Sequence, residues 1–255
     1  MPVIFPATAR AIYTKNNFML RSIKELYGNK LGASDGDIGQ VKDFYFNDQS
    51  WAVRYLVADT GTWLPGRQVL LSPHAFGKLH QAGKLLFVNL TRKQIENSPS
   101  IESHKPVSRQ YEEEYYRYYG WPNYWQGDGL WGMTGFPILE LPTKTLPDGR
   151  VTANSRQPGP TEAHLRSAQA VNGCHLQASD GIIGHICDFM MDDTSWAIHQ
   201  LVIKTGHRFT GKEVQIPTNK VDRISYSDST VFVNLTKAAV EQNPEHQLIP
   251  IGEVD

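Results

Sequence analysis

Charge of either sign, thiols and long apolar runs are all scarce in this chain. It carries 25 Lys and Arg against 26 Asp and Glu, a net charge of −1 over 255 residues. The basic residues are scattered rather than massed, so the electrostatic footprint of a nucleic-acid binder is missing. Only two cysteines occur, Cys174 and Cys187. That is too few for the disulfide framework of a small secreted domain and suits a reducing compartment. No stretch approaches the roughly 20 apolar residues of a membrane-spanning helix. The opening Met1-Pro2-Val3-Ile4-Phe5-Pro6 has no early basic residue, and Pro6 interrupts its apolar run, which argues against a secretory signal. These traits lead us to expect a soluble, cytoplasmic, bacterial-type protein with neither a nucleic-acid partner nor a membrane span. The nine histidines form no HxH or HExxH pattern. The spacings of His74 and His80, and of His199 and His207, do not set ligands on one face of a strand or helix, so no metal is expected.

What the chain does have is one sequence written twice. Leu20 to Pro99 aligns without a gap on Leu165 to Pro244, with about 30 of about 80 positions identical, which marks a tandem duplication. The shared residues are Ala33-Ser34-Asp35-Gly36 against Ala178-Ser179-Asp180-Gly181, Gly39 against Gly184, and Asp43-Phe44 against Asp188-Phe189. Ser50-Trp51-Ala52 returns as Ser195-Trp196-Ala197, and Phe87-Val88-Asn89-Leu90-Thr91 as Phe232-Val233-Asn234-Leu235-Thr236. Glycine, turn and apolar residues dominate this set, so the repeat speaks to architecture and leaves activity open.

Short apolar runs broken by Gly, Asp and Asn at hairpin intervals predict a small all-β unit in each repeat. Asp35-Gly36 and Asp180-Gly181 predict tight hairpin turns. Gly39 and Gly184, just inside the following strand, predict β-bulges. Strands are expected from Trp51 to Asp59 and Trp196 to Lys204, at Val69-Leu70-Leu71 and Val214-Gln215-Ile216, and from Leu85 to Leu90 and Thr230 to Leu235. Thr91 with Gln94 three residues on forms a capping box for a short helix ending before Pro99; Ala239 replaces the reciprocal residue after Thr236, which predicts a weaker start there. Asp35, Asp43, Asp180 and Asp188 are read as acceptors for local backbone amides rather than as catalytic carboxylates. Ser34 and Ser179 have no matching duplicated His, and Gly36 to Gly39 is followed by neither Lys-Ser/Thr nor a helix, so neither a hydrolase nor a phosphate loop is expected.

The order of Gly28, the segment from Ala33 to Phe44, a Trp-led strand, a Gly-bearing turn and the Phe87 to Thr91 run resembles the PRC-barrel family, and does so twice. That family includes the cytoplasmic part of the photosynthetic reaction-centre H subunit and the C-terminal domain of a ribosome maturation factor. The resemblance implies two small, closed or nearly closed β-barrels of about six strands. It implies no catalytic residue, since members are mostly adaptors with different partners. The expected organisation is all-β: an N-terminal extension over 1–19, barrel repeat 1 over 20–99, an aromatic-rich insertion and linker over 100–163, and barrel repeat 2 with a tail over 164–255.

The insertion departs from simple repetition. Tyr111 to Tyr119 predicts one helix stopped by Gly120, with Tyr111, Tyr115, Tyr118 and Tyr119 on one face. Trp121, Tyr124, Trp125 and Trp131 follow among turn residues, and Leu139 to Pro160 reads as an irregular linker. These rings either seal the two repeats or form a partner surface, since Tyr and Trp dominate binding hot spots. Trp121 and Trp125 are assigned to the seal and Trp131 to an exposed contact. Trp63 and Phe209 lie in a loop that differs between repeats. The candidate partner-binding residues are therefore Trp63, Tyr115, Trp121, Tyr124, Trp125, Trp131 and Phe209. A two-residue hairpin loop at Asp180-Gly181 would set Cys174 opposite Cys187 as a redox pair; a bulge at Gly184 would separate them. The functional expectation is a non-enzymatic adaptor or assembly protein with no cofactor and an unidentified protein partner, either a pseudo-dimeric monomer or a homodimer. The rival is a small-molecule or metal-binding module in the crevice between barrels. A filled apolar seam favours the adaptor, and convergent His and carboxylate groups favour the rival.

Overall fold

The duplication recurs in the computed structural model element for element. It describes residues 11–13, 19–65, 67–76, 81–82, 84–100, 107–138, 165–206 and 211–242, with backbone alone at 11–13 and 81–82. The chain starts with β1 (Ala11–Tyr13), β2 (Met19–Ser22), α1 (Ile23–Leu26), β3 (Lys30–Ala33) and β4 (Gly36–Asn47). It continues through β5 (Val53–Asp59), β6 (Gln68–Leu71), β7 (Gln81–Ala82), β8 (Leu85–Phe87) and α2 (Arg92–Glu96). The insertion supplies α3 (Arg109–Tyr119). The second half then runs β9 (Leu165–Ser167), α4 (Ala168–Val171), β10 (His175–Ala178), β11 (Gly181–Asp192) and β12 (Ile198–Thr205). It ends with β13 (Glu213–Pro217), β14 (Val221–Ser225), β15 (Thr230–Val233) and α5 (Lys237–Glu241).

The fold is mostly β and consists of two sheets. One runs β6-β5-β4-β3-β8-β7 with β9 also on β4, and the other runs β1-β2-β11-β10-β15-β14 with β12 on β11 and β13 on β12. Among the described residues neither ladder closes on itself. Sheet membership crosses the repeat boundary, because β2 pairs with β11 and β9 pairs with β4. Each half thus lends its first strand to the other, an exchange the sequence does not announce.

One carboxylate on each side fastens the exchange. Asp188 accepts the Ser22 hydroxyl at 2.5 Å and the Lys24 amide at 3.0 Å, and Asp43 accepts the Ser167 hydroxyl at 2.5 Å and the Gln169 amide at 3.1 Å. Each also accepts the amide of the following phenylalanine at 2.7 Å. Expected to serve local backbone amides, these aspartates do so at Phe44 and Phe189 and in addition bind across the duplication. Ser22 and Ser167 each cap the next short helix as well, accepting the Glu25 and Ala170 amides. Burial raises both carboxyl pKa values, opposed first by the serine hydrogen bonds.

Near the pseudo-twofold axis Ala52 bridges Ala197; the Val53 amide donates to Trp196 O at 2.9 Å and the Ile198 amide to Trp51 O at 2.7 Å. Both tryptophans adopt left-handed backbone, φ 56° and 59°. So uncommon a conformation for a bulky residue requires support, which comes from Asn47 and Asp192. Asn47 Oδ1 accepts the Gln49 and Ser50 amides, and Asp192 accepts the Thr194 amide and the Ser195 hydroxyl.

The hairpin turns fall one residue earlier than expected, on Ser34-Asp35 and Ser179-Asp180, because Ala33 pairs with Gly36 and Ala178 with Gly181. Asp35 and Asp180 accept the first helical amides of α2 and α5, at Arg92 and Lys237. The bulges occur as expected: Leu31 faces Gly39 while Gly32 faces Asp37, and Leu176 faces Gly184 while Gln177 faces Ile182. A Cβ on Gly39 would meet Asp59 O at 1.9 Å, and one on Gly184 would meet Lys204 O at 2.2 Å, so no side chain fits either bulge. The Thr91–Gln94 capping box is formed, and Thr236 caps α5 alone. Phe87 is 48% exposed and Phe232 is only partly buried under the Arg223 guanidinium, whereas Leu86, Val88, Val231 and Val233 point inward. The repeated phenylalanine is therefore not a core residue.

The matched latches predict matched energetics. Asp43→Ala and Asp188→Ala each strand a buried hydroxyl and two amides, and each should lower unfolding stability by about 2 to 4 kcal/mol. Urea denaturation of both variants checks this. A near-zero loss in one would mean that its strand is held by other contacts.

Candidate functional site

The outer face of β5 and β6 explains the insertion. In β5 every residue but Asp59 is buried, including Arg54 and Tyr55, because α3 and the loop after it lie on that strand. Ser108 caps α3 by accepting the Tyr111 amide, and Gly120 stops the helix at φ 69°. The buried face carries Glu112, Tyr115 and Tyr116, with Tyr111 and Tyr119 partly covered and Tyr118 42% exposed. Tyr118 therefore leaves the face expected for it, and Tyr116 takes its place.

Under this cover lies a polar cluster closed to solvent. Arg54 is 3% exposed, Glu112 3% and His74 0%. The Glu112 carboxylate accepts the Tyr124 hydroxyl at 2.7 Å and the Tyr55 hydroxyl at 3.1 Å, and pairs with Arg109 at 2.9 Å. Arg54 donates to Leu130 O at 2.8 Å, with its guanidinium carbon 3.8 Å from the Tyr124 ring centre and 4.7 Å from that of Trp131. Burial raises the Glu112 pKa against the pull of Arg109, and lowers that of Arg54. His74 shares a hydrogen bond between Nδ1 and Ser72 Oγ at 3.1 Å, stacks on Trp121 and meets Tyr116 and Trp131 edge-on. Burial, then the Arg54 charge, pushes His74 down to about 4, so its ring is neutral at pH 7.

The candidate binding residues separate in this environment. Tyr115 and Tyr124 are buried, at 0% and 6% exposure, and Trp121 and Trp125 are half-buried. Trp131, expected at the surface, is 1% exposed and donates from Nε1 to Ser195 O at 2.7 Å, which ties the insertion to the second half. The flanking glycines make room for that approach: a Cβ on Gly129 would meet Thr134 O at 2.6 Å, and one on Gly132 would meet Asn123 O at 2.8 Å. Trp63 is half-buried under Arg92, whose guanidinium carbon is 4.7 Å from the ring centre. Phe209 and the linker from Leu139 to Pro160 lie outside the described residues. Cys174 does not face Cys187: the Gly184 bulge brings Cys174 O to the Ile186 amide, and both thiols are free, with Sγ contacts to Ala170 O and Val202 O. Burial raises both thiol pKa values, that of Cys187 to about 12, which leaves little thiolate for exchange.

At the edge of the seal is a groove of about 380 Å³ lined by Asn89, Leu90, Gln94, Tyr118, Tyr119 and Trp121, with His74 beneath. Among the described residues no group of three or more His, Cys, Asp or Glu side chains converges, and no helix is long and apolar enough to cross a membrane. No protein-family model matches the sequence, and comparison with curated proteins returns no match.

Arg54, His74, Glu112, Asn89 and Gln94 were not among the residues picked from sequence. A signal for two of them was present in the duplication: at the matching positions the second repeat has His199 for Arg54 and Asn219 for His74, so these differences mark β5 and the turn after β6, which face the insertion.

Two measurements test this seal. Trp131→Ala should cost about 3 to 5 kcal/mol, the usual loss for a buried aromatic, and the half-buried Trp125→Ala distinctly less. His74 binds fewer protons folded than unfolded, because its pKa is depressed from 6.5 to about 4. Its contribution, on the order of 3 kcal/mol, is present above pH 6.5 and lost as pH falls towards 4. His74→Gln should flatten the dependence of the urea midpoint on pH between 4 and 6.5.

Proposed function

We propose that the protein is a non-catalytic adaptor, two PRC-type barrel-like halves fused into a pseudo-dimer that presents a protein-binding surface. The observation that carries this reading is the filled, apolar seam between the halves. Phe46 lies against Phe189 with ring centres 5.7 Å apart and stacks on Trp51, Phe76 packs on Trp196, and Ala52 bridges Ala197. Such a seam, among the described residues, is what the adaptor reading expects and supports it over the rival small-molecule or metal module. The PRC-type assignment rests on the order of motifs shared by both repeats and on the agreement of their elements. The buried Arg54, Glu112 and His74 add to the non-catalytic reading, since groups closed to solvent cannot meet a substrate without removal of the insertion.

The partner surface under this proposal is the end of the insertion, joined by the Trp63 loop. Met133 is 92% exposed and Phe136 51%, while the rings preceding them turn inward. Exposed apolar side chains on a segment otherwise committed to burial are the usual anchors of a protein interface.

Met133→Ser/Phe136→Ser in the intact protein tests it. Capture from native lysate followed by titration of the purified partner should show binding weakened at least tenfold, with unfolding stability within about 0.5 kcal/mol of the parent. Full binding by this variant and by Trp63→Ala would overturn the assignment of the surface.

A further inference from the structure

We infer that the groove between α3 and the α2 end of the first half binds a small neutral polyhydroxylated ligand, a sugar or sugar-like polyol. Three observations on different levels point to it. The first is size and place: about 380 Å³ falls within the range of small-molecule sites, and the groove lies between the insertion and the repeat rather than along the pseudo-twofold seam.

The second is the chemistry of the lining. Two carboxamides, two phenols and one indole surround the space; among the described residues the lining holds no Asp, Glu, Lys or Arg, and His74 is neutral at pH 7. Hydrogen bonding inside the fold leaves part of both carboxamides unused. Gln94 Oε1 accepts the Thr91 amide and hydroxyl, which leaves the Nε2 donors without a partner among the described residues. Asn89 Nδ2 donates to Phe76 O at 3.4 Å, and Oδ1 has no hydrogen-bond partner among the described residues. An unused donor on one lining amide and an acceptor on the other suit a ligand whose hydroxyls each both donate and accept. A charged ligand would find no counter-charge among the described lining residues and would lose hydration without compensation there. The 42%-exposed Tyr118 ring, held by its hydroxyl on Gln94 O at 2.9 Å, supplies a flat apolar flank for the C–H face of a pyranose.

The third is asymmetry. Asn89-Leu90-Thr91 is repeated as Asn234-Leu235-Thr236, yet Gln94 is matched by Ala239 and His74 by Asn219, and Tyr118, Tyr119 and Trp121 belong to the insertion. The groove thus combines the repeated Asn89 and Leu90 with Gln94, His74 and insertion rings that have no counterpart at the matching positions of the second repeat. His74 is not itself accessible, but it stacks on Trp121, which also stacks on Tyr119 at 4.4 Å, so its ring reports changes in the wall. Its Nε2 is buried without a hydrogen-bond partner among the described residues.

The test uses the full chain and NMR. D-glucose, D-galactose and maltose are titrated against side-chain amide and indole signals, in parallel with nicotinamide and inorganic phosphate. At least one sugar should shift the Gln94 amide, Trp121 indole and His74 ring signals saturably, with a millimolar or tighter Kd, and the two other probes should not. Gln94→Glu keeps the acceptor for the α2 cap and removes the amide donors, so sugar affinity should fall at least tenfold with the α2 signals unchanged. Gln94→Ala, the residue of the second repeat, should fall as far. Absence of saturable shifts with every sugar, unchanged affinity in both variants, or a preference for nicotinamide or phosphate would each overturn the inference.

Discussion

Everything in this architecture depends on the reciprocal loan of one short strand. Neither half keeps its own first strand, so each sheet is complete only while the other half is present, and Asp43 and Asp188 are where the loan is secured. A buried carboxylate accepting a hydroxyl and two amides is satisfied only in one arrangement. Because each aspartate binds the serine that also caps a helix, strand exchange and helix start are fixed by the same side chains. Fusing two copies of a unit that swaps an element keeps the swap intramolecular, which removes the concentration dependence of a homodimer.

Symmetry at the seam makes the departures from it informative. Trp51 and Trp196 share the same left-handed backbone and the same cross-bridge, yet Trp196 is 0% exposed and Trp51 only partly buried. Trp196 packs under Phe76 of the first half, and Trp131 of the insertion reaches the adjacent Ser195 O, whereas among the described residues Trp51 stacks only on Phe46. The same insertion covers Arg54 and Tyr55, so that β5 is buried along its length up to Asp59. That burial confines Arg54, and Glu112 arrives on α3 to balance it, with Arg109 and the tyrosine hydroxyls completing the network. Removing one partner from such a network strands a charge, and this binds the insertion to the first half more specifically than apolar packing alone.

The sequence was legible where local chemistry decides and illegible where pairing is long-range. Capping at Thr91, the stop at Gly120, the bulges at Gly39 and Gly184 and the strand positions each follow from a few adjacent residues. The shift of the hairpin turns by one residue comes from Asp35 and Asp180 being drawn to the helix amides at Arg92 and Lys237, 57 positions on. No local rule contains that contact. The strand exchange is likewise invisible, since Met19 to Ser22 reads the same whichever sheet it joins. Trp131 was misplaced because its flanking glycines look like an exposed turn, whereas their lack of a Cβ is what allows the close approach that buries the ring. The separation of Cys174 from Cys187 was foreseeable as a condition, because a bulge shifts register by one and sends neighbouring side chains to opposite faces.

The two repeats also differ in how much freedom each retains. The second half keeps the latch, the left-handed tryptophan, the bulge and the capped helix, and these demands fall on Asp188, Trp196, Gly184 and Thr236. Its β12 leaves His199 exposed, where the first half buries Arg54. Both copies have to meet the framework requirements, because each latch holds a strand lent by one half in the sheet of the other. The outer face of β5 carries no such obligation, and it is there that the insertion docks, the ionisable cluster forms and the polar groove opens. Duplication thus assigns the shared constraint to residues present twice and releases the unshared face of one copy to acquire chemistry, so the differences between repeats mark the candidate functional surface more sharply than their identities do.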